Sequence, residues 1–131
     1  MTNTRTVGEV MTANPISVTE TASLAEAAGI LDNKKITGLP VVDENGALIG
    51  VLSQTDLVRA RANSHLVANW PGLAVGQIMT KPALTIAATA SLEEAAKMME
   101  QHRVHRLVVT GAAANPIGII STSDLVRSWL R

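Results

Sequence analysis

Apolar side chains fall at Leu24, Ala27, Ala28 and Leu31, and again at Leu92, Ala95, Ala96 and Met99. Spacings of three and four put each set on one face of a helix. Each helix has a marked start. Ser23 with Glu26, and Ser91 with Glu94, have the spacing of a capping box, in which serine accepts a free helix N–H and the acid answers it. After the first helix come two β-rich runs, Leu39–Val42 and Leu48–Leu52, joined through Asn45-Gly46, a strong hairpin signal. A helical turn around Val7–Thr12 and a brief strand, Ile16–Val18, precede it. The last predicted helix opens at GVLSQTDLVR, residues 50–59, and its later counterpart at GIISTSDLVR, residues 118–127. The order is strand, helix, strand, strand, helix, twice.

A shift of 68 residues aligns 7–59 with 75–127 without a gap, and about twenty of some fifty positions are identical. Shared propensity does not produce an ungapped match of that length, so the chain is a tandem duplication. A unit of about 55–60 residues is marginal alone because too little of its surface can be buried. The expected fold class is therefore α/β (mixed α+β), two pseudo-symmetric β-α-β-β-α units packed through their sheets. The first motif spans 7–60, a connector with Pro71-Gly72 spans 61–74, and the second motif spans 75–130. Ala60–His65 can alternatively continue the preceding helix. Pseudo-symmetry implies two related clefts between the halves.

Lys plus Arg and Asp plus Glu each number 11, so the net charge is zero. That balance gives no electrostatic footprint for nucleic acid or an anionic membrane. The absence of cysteine excludes disulfides, thiol catalysis and Cys-zinc sites. The start, MTNTRTVGEVM, lacks the apolar region of a signal peptide, and no run approaches the length of a membrane span, so a cytoplasmic protein is expected. Without Phe or Tyr, the core must be built from Val, Ile, Leu, Ala and Met. The expected role of Trp70 and Trp129 is packing. A mean hydropathy of +0.22 is high for a small monomer. The alanine-rich faces Leu24–Leu31 and Leu92–Met99 suit close helix packing, and a homodimer is expected.

Dinucleotide, phosphate-loop and metal-helix motifs are absent from the sequence. His65, His102 and His105 lack a convincing further ligand, and a serine beside an aspartate without a base is a poor nucleophile. The expectation is no catalysis and no metal.

The repeated Ser53-x-x-Asp56 and Ser121-x-x-Asp124 admit two readings. As capping boxes, they simply start two helices. As a ligand site, they use the same groups differently: a helix N-terminus flanked by hydroxyls suits ribose or phosphate oxygens, and a carboxylate accepts from a vicinal diol. Thr55 and Ser123, just before each aspartate, are hydroxyls that capping does not require. Gly50 and Gly118 allow close backbone approach if the chain bends there.

With the MT near each start and the LPVVD of Leu39–Asp43, these motifs make the chain resemble a tandem pair of cystathionine-β-synthase (CBS) domains, a Bateman module, over nearly its whole length. The resemblance implies a regulatory module that binds AMP, ADP, ATP or S-adenosylmethionine, requires no cofactor and signals to an unidentified regulated protein. It implies Ser53, Thr55 and Asp56 at one ribose or phosphate site, and Ser121, Ser123 and Asp124 at the other. Backbone at Ile16, Ser17, Val18, Ile36, Thr37 and Gly38, and at Leu84, Thr85, Ile86 and Val104, would line the adenine pockets. QHRVHRLVV, residues 101–109, resembles a segment of the AMP-activated protein kinase gamma subunit, implying phosphate contact by His105 and Arg106. The first repeat has Thr37-Gly38 there, so the two sites are expected to differ. The alternative function is a dimeric interaction or scaffold protein with vestigial clefts.

Overall fold

The computed structural model describes residues 5–63 and 67–130. Its elements run α1 (Val7–Val10), β1 (Thr12–Ala13), β2 (Val18–Thr19), α2 (Leu24–Lys34), β3 (Gly38–Val42), β4 (Leu48–Ser53) and α3 (Gln54–Ala62). A 3-10 helix (Val67–Gly72), α4 (Val75–Ile78), β5 (Thr85–Ala87), α5 (Leu92–His102), β6 (Arg106–Thr110), β7 (Pro116–Ser121) and α6 (Thr122–Trp129) follow. Of the predicted alternative in which Ala60–His65 prolongs α3, His65 lies outside the described residues.

One compact unit is Ile16–Ala83. The Ser23 hydroxyl accepts from the Glu26 N–H at 3.1 Å and starts α2, which buries Leu24, Ala27 and Leu31. The helix stops where Lys35 enters the left-handed region at φ 55° and returns its N–H to the last turn. β3 is buried along its whole length, as a central strand should be. It pairs in parallel with β2 and antiparallel with β4, giving the order β2-β3-β4. The predicted hairpin forms: Asp43 Oδ1 accepts from the N–H groups of Asn45 and Ala47 at 2.8 and 3.0 Å, and Gly46 supplies φ 85°. Only Val18 of the expected strand Ile16–Val18 is in β2. Trp70 is half-buried against the core of Leu24, Leu31, Leu39, Leu52 and Val75.

The other unit joins the stretch ending at Pro15 to the stretch starting at Leu84. Its sheet has the order β1-β7-β6-β5, with β5 and β6 parallel. Ser91 caps α5 as Ser23 caps α2, and Arg103 ends it at φ 54°. Leu92, Met99, Leu107, Ile120, Leu125 and Val7 form the core.

The sequence repeats and the compact units are out of phase. The opening turn of the first repeat, α1, belongs to the unit of β5–β7: the Val7 and Gly8 N–H groups donate to Ala90 and Ala88 carbonyls at 2.9 and 2.8 Å. In the unit of β2–β4, Val75 and Gly76 of α4 donate to Ala22 and Glu20, both at 2.8 Å. A Cβ on Gly8 would lie 3.1 Å from that of Ala88, and one on Gly76 3.1 Å from that of Glu20. The repeated Val-Gly pair therefore combines a fully buried valine with a glycine that lets two backbones meet.

The alanine-rich faces are used internally. Leu24, Ala27, Leu92, Ala95 and Met99 are buried in the cores of their own units, while Ala28 and Ala96 on the same faces are half-buried. Trp129, expected to pack, is 58% exposed, and Val58, Val126 and Leu130 are exposed as well. Among the described residues no helix is long and apolar enough to cross a membrane.

Candidate functional site

β4 and β7 pass into α3 and α6 without a loop, and the serine at each junction is still extended, with ψ 166° at Ser53 and 167° at Ser121. This geometry closes both reciprocal capping boxes. The Ser53 and Ser121 N–H groups donate to Oδ2 of Asp56 and Asp124 at 2.9 Å. The serine hydroxyls accept from the aspartate N–H groups at 3.2 Å. At Ser23 and Ser91 the serine accepts, but the full box does not form. The capping reading is therefore correct for the later helices, and it fixes where each carboxylate points.

The two carboxylates are not in the same state. Asp56, 3% exposed, also takes the Ser53 hydroxyl on Oδ2 at 3.1 Å, the Thr80 hydroxyl on Oδ1 at 2.9 Å and Arg59 Nη1 on Oδ1 at 3.3 Å. Asp124, 7% exposed, has Arg127 Nη1 on Oδ1 at 3.1 Å in addition to the Ser121 N–H. Thr55 and Ser123 stand exposed in the first turns of α3 and α6.

Strand register assembles the rest. Arg106, at the start of β6, lies opposite Ser121, at the end of β7. The Thr122 N–H donates to the His105 carbonyl at 2.9 Å, and the Val108 N–H to the Leu84 carbonyl at 3.1 Å. One sheet end thus gathers Leu84, Thr85, Val104, His105, Arg106, Ser121, Ser123 and Asp124. His105 is exposed and Arg106 half-buried. Burial lowers the Arg106 guanidinium pKa from its ordinary value, because desolvation disfavours the charged form. The unit of β2–β4 repeats this plan: Gly38 faces Ser53, and the Gln54 N–H donates to the Thr37 carbonyl at 3.0 Å. Ile16, Ser17 and Ile36 precede β2 and β3 at the same end. Val18 and Ile86 are core side chains, so any contact they make there is through backbone.

Gly50 and Gly118 do allow close approach, and what approaches is the chain itself. A Cβ on Gly50 would lie 2.8 Å from the Thr80 carbonyl oxygen and 2.9 Å from Met79 Sδ. One on Gly118 would collide with Met11 Sδ. The residue that sequence reading misses is Thr80. Its signal, the repeated Met-Thr, is present twice and does not say which threonine reaches an aspartate. Among the described residues no group of three or more His, Asp or Glu could hold a metal ion. A cavity of about 550 Å³ lies along α5 and α6, lined in part by Met99, Leu125, Val126 and Trp129 and sharing Val104 and His105 with the sheet end of Ser121 and Asp124.

The CBS domain family matches residues 7–63 and again 75–131. The chain belongs to this family, with two domains in tandem. It is 32% identical over 152 residues to the chloroplastic CBS domain-containing protein CBSX2 of Arabidopsis thaliana, covering 96% of this chain and 64% of that protein. The crystal structure of CBSX2 in complex with AMP superposes with a TM-score of 0.85 at 35% identity, over 96% of both chains. The CBS domain pair of protein MJ0100, in complex with 5′-methylthioadenosine and S-adenosyl-L-methionine, gives 0.87 at 25% identity over 97% of both chains. A homoserine O-acetyltransferase of Methanocorpusculum labreanum is 36% identical over 123 residues, which are 94% of this chain and 24% of that enzyme. The chain thus spans about a quarter of that enzyme's length and less than two thirds of CBSX2.

Proposed function

We propose that this chain is a non-catalytic regulatory module that binds an adenosine-containing ligand and passes its occupancy to a partner protein. The ligand is AMP, ADP, ATP or S-adenosylmethionine. Asp124 takes the ribose diol, Ser121 and Ser123 lie along ribose and phosphate, His105-Arg106 meets phosphate, and backbone at Leu84–Ile86 and Val104 borders the adenine. The observation that carries this reading is the convergence, at one sheet end, of a buried carboxylate, flanking hydroxyls and a half-buried guanidinium. A phosphate beside Arg106 would offset its desolvation with charge-assisted hydrogen bonds. The AMP of the CBSX2 complex and the two adenosyl compounds of the MJ0100 complex support the ligand class. A homodimer and a cytoplasmic location belong to the same proposal, with exposed Val126, Trp129 and Leu130 as apolar surface for a second copy.

The alternative, an interaction protein whose clefts are unused, is favoured by Asp56, whose carboxylate is engaged by donors of its own chain. Calorimetric titration with AMP, ATP and S-adenosylmethionine, paired with thermal shift, separates the two. Saturable binding lost in a folded Asp124→Ala variant supports the module. Ligand at 100 times its dissociation constant adds about 2.7 kcal/mol of stability, so flat responses in both measurements leave the interaction protein.

A further inference from the structure

We infer that Thr80 decides which of the two repeated aspartates takes a ligand diol: its hydroxyl closes Asp56 and leaves Asp124 as the acceptor. The inference rests on the ligand-binding reading above. An ionised carboxylate offers about four lone-pair positions. At Asp56 four donors use them: the Ser53 N–H, the Ser53 hydroxyl, the Thr80 hydroxyl and Arg59 Nη1. At Asp124, among the described residues, two donors do, the Ser121 N–H and Arg127 Nη1. A vicinal diol brings two O–H donors. Asp124 can receive both without losing a bond, whereas Asp56 must give up two.

The donors at Asp56 differ in how readily they leave. Arg59 lies on the helix surface with its side chain 68% exposed, and water replaces its bond at little cost. The Ser53 bonds are the helix cap itself. Thr80 is held in place by its backbone, whose N–H and C=O pair with Val51 at 2.9 and 3.0 Å, so its hydroxyl is presented to Asp56 from a fixed position. The repeat counterpart, Thr12, pairs with Ile119 in β1, and no bond joins its hydroxyl to Asp124 among the described residues. The surroundings differ one step further on. β1 continues through Ala13 opposite Gly118, with the Asn14 N–H donating to Ile117 at 3.1 Å. After Thr80 the chain meets Pro82, which has no N–H to donate.

Thr80→Val removes the hydroxyl while keeping a β-branched shape and both backbone bonds to Val51. The test is calorimetric titration of the full chain with AMP. Wild type, Thr80→Ser and Thr12→Val are expected to bind one equivalent, lost in Asp124→Asn and retained in Asp56→Asn. Thr80→Val is expected to bind two. Combining Thr80→Val with Asp124→Asn should restore one equivalent, which adding Asp56→Asn then removes. A thermal melt of each variant establishes that it folds. Two equivalents in wild type, one of them lost in Asp56→Asn, would overturn the closure by Thr80 while leaving the ligand-binding reading standing. So would a Thr80→Val variant that folds and still binds one. No binding by wild type or any variant overturns both.

Discussion

Gly50 and Thr80 meet backbone to backbone: a Cβ on Gly50 would stand 2.8 Å from the Thr80 carbonyl oxygen, the same oxygen that accepts from the Val51 N–H. A carbonyl in a paired segment cannot step aside. At Gly118 the neighbours within reach are Cγ, Sδ and Cε of Met11, and an unbranched side chain can change rotamer. Gly50→Ala is therefore expected to cost about 1–3 kcal/mol, and Gly118→Ala less. Urea unfolding of the two variants checks the order.

The two aspartates are expected to separate in stability. Removing a buried acceptor costs about 1–3 kcal/mol through the donors it strands, and loss of a helix cap costs about 1 kcal/mol. Asp56→Ala strands the Thr80 hydroxyl as well as the cap donors, while Asp124→Ala strands the cap donor and an Arg127 that reaches solvent. Asp56→Ala should thus melt at the lower temperature in a thermal scan.

Ala114 occupies the left-handed region at φ 60° in the β6–β7 turn, where the β3–β4 turn has Gly46. For a non-glycine residue that conformation costs about 1–2 kcal/mol. Glycine in its place loses about 0.4–1 kcal/mol through the freer unfolded chain. The difference favours Ala114→Gly by about 0.5–1 kcal/mol, measurable as a raised denaturation midpoint at unchanged slope.

Thr6 donates its N–H and its hydroxyl to Glu9 Oε1 at 2.9 and 3.0 Å. The backbone bond first, and the side-chain bond after it, hold the Glu9 carboxyl below its usual 4.5. The folded value is the lower one, so the stabilisation is present above the unfolded value and is lost as the pH falls through the folded value. Glu9→Gln does not titrate. Its stability should decline less than that of wild type between neutral pH and about pH 3, as followed by urea titration across that range.

Arg106→Met tests the phosphate contact. Hydrogen bonds to charged groups are worth about 1.5–3 kcal/mol, so AMP should bind about tenfold or more weakly, with adenosine binding unchanged. Competition between the two in one titration series gives the ratio directly.

Helix starts at Ser23, Ser53, Ser91 and Ser121 were legible because capping is local: hydroxyl, spacing and apolar face all lie within one turn. So was the hairpin at Asn45-Gly46. The position of the opening turns was not. Aligning Val7-Gly8 with Val75-Gly76 reveals that they are copies, and copies carry no mark of which neighbour each will bind. The difference between Asp56 and Asp124 was hidden for the same reason. It arises where Thr80 and Thr12 orient their hydroxyls, and both copies read Met-Thr. The helix faces were legible as apolar, but periodicity does not distinguish a core inside the unit from an interface outside it.

The exchange of opening turns constrains how this duplication can be dismantled. A deletion at the sequence boundary that kept only residues 7–63 would retain α1 without the β5–α5 turn carbonyls of Ala88 and Ala90 that hold it, and would strip from β2–β4 the α4 that supplies buried Val75. Recombination that respects the folded units must instead cut near Pro15 and Ala83, a few residues inside what alignment presents as each repeat. A loss of residues 16–83 removes one repeat length and leaves α1 still joined to the unit of β5–β7, so the boundary at which a copy can be discarded is set by the fold and not by the alignment.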